Sequence, residues 1–161
     1  RWNCFTNGFY SVGQHTLHGI RLIDVTDLKH FNIDVDKDLL RQYFFLHDAC
    51  EAYLPDVPTP LKPYIVGWRE LENKTSRAIY THFGLPYTTE EMHSAVKMFD
   101  KWCLNMEAGT VAYKHKGGTY GATVPEDNAV MAPLERSNVH FDVVNASLIR
   151  AFKNLFPDAK S

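Results

Sequence analysis

Between Asp36 and Pro55 the chain reads "DKDLLRQYFFLHDACEAYLP", and Leu39, Leu40, Tyr43, Phe44, Leu46 and Cys50 make this stretch apolar nearly all round. A helix without a polar face is stable only when other elements cover it on every side. It therefore belongs at the centre of a helical domain, with Asp36 or Asp38 as its N-cap and an end near Tyr53. Pro55, Pro58, Pro60 and Pro63 then impose a stiff loop, because each removes a backbone donor and biases its predecessor toward extended conformations.

Other segments supply the cover. "SVGQHTLHGIRLIDVTDL", from Ser11 to Leu28, places Val12, Leu17, Ile20, Ile23 and Leu28 in a helical rhythm, with Ser11 as N-cap and Gly13 and Gly19 allowing close packing. A third helix is expected over 64–83, with Ile65, Trp68, Leu71, Ile79 and Phe83 inward and Gly84 and Pro86 as its stop. "TTEEM" offers Thr88 and Glu91 in capping-box spacing for a fourth helix over 89–108, its apolar side formed by Met92, Val96, Phe99, Cys103 and Leu104. A last helix is expected over 138–156 with Val139, Val143, Ala146, Ile149 and Phe152 inward. Residues 109–133 carry no sustained period and read as a long loop. The expectation is all-α, a single domain over 1–161.

Composition narrows the function classes. With 161 residues and 45% hydrophobic content the chain can bury one sizeable core. A formal net charge of -2 argues against a surface that grips nucleic acid polymers through their phosphates, though a few local lysines would still hold a small anion. Cys4, Cys50 and Cys103 are odd in number and far apart, which fits neither a disulfide framework nor a cysteine zinc site and suits a reducing cytoplasm. No apolar run is long enough to span a membrane, and nothing near the start reads as a secretory signal. The chain begins at Arg1 rather than a methionine, which points to sequence ahead of it.

Chemistry concentrates in "HDACEAYLPDVPTPLK". On a continuous helix His47 and Glu51 would share a face, and Asp48, turned by about 100°, would still reach the same site. One reading makes His47 a core imidazole bonded to Asp48. The other makes the pair metal ligands, and it gains from Glu51 and Asp56 nearby, because several carboxylates near a buried helix end need a cation or a substrate to offset them.

The string resembles the central motif of the HD-domain phosphohydrolases, in the branch with "HDAxE" followed by "GDxPTPxK". "YSVGQHTLHG" is similar to the segment that supplies that family's upstream histidine, which makes His15 a ligand. "VKMFDKWCLNMEAG" is similar to the helix that supplies its last aspartate, which makes Asp100 a ligand, although Asp100 could equally pair with Lys97 or Lys101 at the surface. The implied fold is a compact all-α HD domain with its metal in the helix core. His15, His47, Asp48 and Asp100 form a mixed nitrogen and oxygen set suited to a divalent transition metal such as Zn, Co, Mn or Fe. His18, three residues after His15, could face the same side, whereas His30, His82, His93, His115 and His140 lack motif partners.

A divalent ion so held polarises a phosphoryl oxygen and acidifies water, which is the chemistry of phosphate ester hydrolysis. By the resemblance Glu51 and Asp56 are the catalytic pair, the division of proton transfers between them being open; their structural alternatives are a solvated helix end and a turn residue. Arg1, Lys62 and Lys97 are the phosphate-binding candidates. "RWNCFTNGFYSVGQH" resembles the opening of bacterial 5'-deoxynucleotidases and of small phage-type dATP triphosphohydrolases, which makes Trp2 a base-contacting residue or, failing that, a core tryptophan. The spacing from the HD pair to Asp100 and the wording "FYSVGQH" favour the phage-type branch. The expected reaction is hydrolysis of dATP to deoxyadenosine and triphosphate. Release of phosphate from deoxynucleoside monophosphates, and a nucleotide-binding module without turnover, are the alternatives. The partner implied is a small deoxynucleotide, with no polymer and no membrane; relatives of this size often form homo-oligomers.

Overall fold

The computed structural model describes residues 10–55, 57–58, 60–86, 88–110 and 139–159, and among them there are helices and turns but no strand. Among the described residues five α-helices follow in order: α1 Val12–Val25, α2 Lys37–Leu46, α3 Trp68–His82, α4 Glu90–Thr110 and α5 Phe141–Leu155. Short 3-10 turns lie between α1 and α2 at Leu28–Phe31 and between α2 and α3 at Ala49–Ala52 and Lys62–Tyr64. Arg1, Trp2, Asp56 and most of the 109–133 segment lie outside the described residues, while Gly109 and Thr110 continue α4.

The apolar α2 is central, as its composition requires. Leu40 and Phe44 are fully buried, and α1, α4 and α5 all pack against the helix. Ile23 from α1 and Phe99 and Cys103 from α4 complete the innermost layer. Gly19 explains how α1 comes so close: a Cβ there would lie 1.9 Å from the Phe44 ring. Gly13 makes the corresponding approach to α5, where an added Cβ would meet Leu148 at 2.5 Å.

Capping follows the chemistry of helix ends. Ser11 accepts from the Gln14 amide, and the Gln14 side chain accepts from the Ser11 amide, so two otherwise orphaned donors are satisfied. Asp36 caps α2 by accepting from the Leu39 amide. At α4 the cap is Thr89, bonded to the Met92 amide at 3.2 Å, rather than the expected Thr88. The fifth helix is capped by the His140 ring, which accepts from the Asp142 amide, so it begins later than expected.

Three expectations fail in instructive ways. The central helix stops at Leu46 rather than near Tyr53 and passes into a 3-10 turn, so His47 and Glu51 do not share a helical face. On the third helix the expected stripe holds only in part: Ile79 and Phe83 are half-buried against the core, whereas Leu71 is exposed and Ile65 lies outside the helix, also exposed, because α3 leans on α2 and the Ala49–Ala52 turn and leaves its other sides open. On α5 the buried residues are Val144 and Leu155, whereas Val143 and Ile149 face outward, a rotation of the inward stripe by one position. Among the described residues no helix is long and apolar enough to cross a membrane.

Candidate metal centre

The end of α2 is where the local structure turns into a site. The His47 Nδ1 lies 2.6 Å from the Phe44 carbonyl oxygen, which can only accept, so Nδ1 carries the proton and Nε2 is left with its lone pair outward. Asp48 sits just beyond the helix with φ -94° and ψ 1°, and this turned backbone brings its Oδ1 to 3.2 Å from His47 Nε2. Adjacent residues that would diverge by about 100° on a helix here converge on one point.

α1 delivers His15 to the same point. Its ring is fully buried, packed beside Phe44, with Nε2 at 3.4 Å from His47 Nε2. Its Nδ1 lies 2.5 Å from Oε1 of Glu107, a carboxylate two helical turns beyond Asp100 on α4 and itself fully buried. The Tyr10 hydroxyl donates to the same Glu107 oxygen at 3.0 Å and meets His18 Nδ1 at 2.9 Å. His18 thus faces the Tyr10 side of α1 and is linked to the centre through Tyr10 and Glu107.

α4 closes the arrangement with Asp100, whose Oδ1 is 3.2 Å from His15 Nε2 and 3.8 Å from His47 Nε2. Ligand atoms of His15, His47 and Asp48 all lie within 4.8 Å of one another, so these three could hold a metal ion, with Asp100 alongside the two histidines. The donor set fits a divalent cation. With Glu107 and the Phe44 carbonyl taking the Nδ1 protons, two Nε2 lone pairs and two carboxylate oxygens face one small volume. Protonating both imidazoles instead would set two N–H groups against each other at 3.4 Å.

Other expected residues fall into different places. Glu51 lies on the 3-10 turn, exposed, outside the group of convergent donors. Lys62 forms an ion pair with Glu72 at 2.8 Å. Lys97 opens into a cleft of about 1030 Å³ between α3 and α4, which His47 and Asp100 also line. Two residues of this cleft carry shifted groups: burial pushes the Tyr80 phenol up to about 12, and desolvation followed by repulsion from Lys97 lowers the His93 imidazole. Tyr80 is therefore neutral at physiological pH, and His93 is biased toward its neutral form.

The residues missed in the sequence are Glu107 and Tyr10. Glu107 stands seven positions after Asp100, which returns it to nearly the same face of α4, and that spacing was a readable signal. Nothing comparable marked Tyr10, which meets Glu107 from 97 positions away.

Two curated proteins resemble the chain in sequence. The uncharacterized protein YfdR of Escherichia coli is 32% identical over 78 residues, covering 48% of this chain and 36% of that protein. The uncharacterized protein RCAP_rcc00048 of Rhodobacter capsulatus is 33% identical over 116 residues, covering 70% of this chain and 56% of that protein. The chain thus spans between about a third and somewhat over half of the length of these relatives. No family model matches the chain, and no solved structure does.

Proposed function

We propose that this chain is an HD-type, metal-dependent phosphohydrolase that acts on deoxynucleoside triphosphates, with dATP as the preferred substrate and deoxyadenosine and triphosphate as products. The observation that carries the reading is the approach of His15 Nε2 and His47 Nε2 to 3.4 Å with carboxylate oxygens of Asp48 and Asp100 around them. Neutral imidazoles and carboxylates in that proximity suit a Zn, Co or Mn ion. The order of these residues along the chain also agrees with the motifs His15, His47-Asp48 and Asp100.

When bound, a divalent ion supplies a Lewis acid for a phosphoryl oxygen and a means of acidifying water. The chain's own groups do the rest. Glu107 and the Phe44 carbonyl hold both imidazoles in the tautomer whose Nε2 lone pair can coordinate. Asp48 and Asp100 supply negative charge opposite the imidazoles, so the centre carries little net charge when it approaches an anionic substrate. In the reaction the bond between the α-phosphorus and the 5' oxygen breaks, water oxygen joins phosphorus, and the deoxynucleoside oxygen takes up a proton. Glu51 and Asp56 are the proposed groups for these proton transfers, and Trp2 and Arg1 the proposed contacts to the nucleoside end.

Incubation of the metal-loaded protein with dATP and with dAMP, followed by chromatography of the products, tests this. Deoxyadenosine and intact triphosphate from dATP are expected. Orthophosphate from dAMP with dATP inert would assign the chain to the monophosphatases instead. Binding of dATP without hydrolysis of any nucleotide would make it a nucleotide-binding module.

A further inference from the structure

α1 carries two histidines three positions apart, and only His15 belongs to the group of convergent donors. His18 is half-buried beside Tyr10, the two rings 23° from parallel with centroids 5.9 Å apart. Tyr10 stands directly before the capping box of α1, in which Ser11 and Gln14 bond each other's backbone amides. That box fixes the start of the helix and with it the approach of the tyrosine ring.

Each hydrogen in this corner has one place to go. The Tyr10 hydroxyl donates its single hydrogen to Glu107 Oε1 at 3.0 Å. The hydroxyl oxygen also lies 2.9 Å from His18 Nδ1, so the hydrogen between those two atoms belongs to the imidazole. His15 Nδ1 meets the same Glu107 oxygen at 2.5 Å, where the carboxylate accepts its proton. Donation therefore runs from His18 to Tyr10 and from Tyr10 to the carboxylate that orients His15.

We propose that His18 is a positioning residue for the metal centre, acting through the Tyr10 hydroxyl and Glu107 to hold His15 with Nε2 toward the ion. The role rests on the metal-centre part of the functional reading and on no particular substrate. Two acceptors would compete for the tyrosine hydrogen: the Glu107 carboxylate and a His18 Nδ1 without a proton. With its proton on Nδ1, His18 leaves that competition, and by donating to the hydroxyl oxygen it polarises the O–H toward Glu107. In the opposite tautomer His18 would draw the hydrogen to itself, and Glu107 would lose the Tyr10 bond. The histidine that the sequence places beside His15 thus serves the centre as a donor at the far end of a hydrogen-bonded chain rather than as a ligand.

Zinc titration of the full chain and nitrogen NMR of its histidine rings test the proposal, with His18→Leu, which has no donor, and His18→Asn, which keeps an N–H close to the place of Nδ1. In the metal-free wild type, at a pH where the imidazoles are neutral, His18 is expected to carry its proton on Nδ1. His18→Leu should lower zinc affinity on the order of threefold and shift the His15 ring nitrogens toward a mixed tautomer, a smaller effect than removal of the carboxylate itself. His18→Asn should restore both. In a Tyr10→Phe background His18→Leu should cost nothing further, since the link between the two residues is already cut. A His18 Nδ1 without a proton in wild type would overturn the role even if neither variant folds. So would wild-type affinity in His18→Leu, an equal loss in His18→Asn, or a loss that persists in the Tyr10→Phe background, which would mark His18 as a packing residue. A wild-type protein that binds no zinc would instead sink the metal centre, and this role with it.

Discussion

The candidate metal centre has a dry wall and a wet wall. On the dry side His15 and Glu107 are fully buried between α1 and α4, and Tyr10 closes the network behind them. On the wet side the Asp100 carboxylate retains 36% of its exposure and His47 10%, and both look into the α3–α4 cleft. Burial of a carboxylate as complete as that of Glu107 is tolerable only with its partners in place, so the dry wall fixes geometry. The wet wall, where side chains can move and water can enter, is suited to admit and release a charged ligand. Rigidity and access are thus assigned to opposite faces of one small centre.

The sharpest way to break this contrast is to remove one histidine from each wall. His15→Ala is expected to abolish metal binding and also to destabilise the fold by about 3–5 kcal/mol, because it strips a partner from a fully buried carboxylate. His47→Ala should abolish metal binding with a much smaller loss of stability. Chemical denaturation beside a metal titration of each variant makes the comparison, and equal stability losses would erase the distinction between the walls.

Glu107→Gln is the next largest test. Gln keeps the volume but weakens the charge-assisted bond to His15, and metal affinity should fall on the order of 10-fold to 100-fold while denaturation changes less than in His15→Ala. Tyr10→Phe removes the hydroxyl that bonds Glu107 and His18 but leaves the Glu107–His15 contact, and should act in the same direction with a smaller effect. Nitrogen NMR of the His15 ring supplies a separate readout: Nδ1 should be the protonated nitrogen in wild type, and a mixed tautomer is expected in Glu107→Gln.

Gly19→Ala probes the packing that lets α1 carry His15 to α2. With an added Cβ 1.9 Å from Phe44, either the ring or the helix must shift, and a loss of about 1–3 kcal/mol is expected in thermal or chemical unfolding. An unchanged melting temperature would mean that α1 and α2 do not need that close approach. The smallest effect belongs to Lys62→Ala: its half-exposed pair with Glu72 contributes at most about 1 kcal/mol, and metal affinity should not change.

Much of the helical layout could be read in the chain, for reasons that also explain the errors. An all-round apolar stretch has to be central, and Leu40, Tyr43, Phe44 and Leu46 are indeed buried. Its end was placed too late because periodicity does not register a competing local bond: the His47 ring takes the Phe44 carbonyl, and a 3-10 turn replaces the next turn of helix. Of the stripe expected on α3, Ile79 and Phe83 do pack against the core, but Leu71, a core residue by type, is exposed because that helix borders a cleft and is covered on few sides. His47 and Asp48 stood out by their adjacency. His15 was picked out by resemblance; the spacing of Glu107 from Asp100 was legible, but its orienting role was not, since the contact with His15 joins residues 92 positions apart.

X-ray absorption at the metal edge of zinc- or cobalt-loaded protein tests the metal centre most directly, with His15→Ala and His47→Ala beside it. A first shell of nitrogen and oxygen with the multiple-scattering signature of two imidazoles is expected in wild type, and loss of the bound ion in both variants. Retention of the ion and of an unchanged spectrum in either variant, or a shell containing sulfur, would contradict a centre built from His15, His47, Asp48 and Asp100.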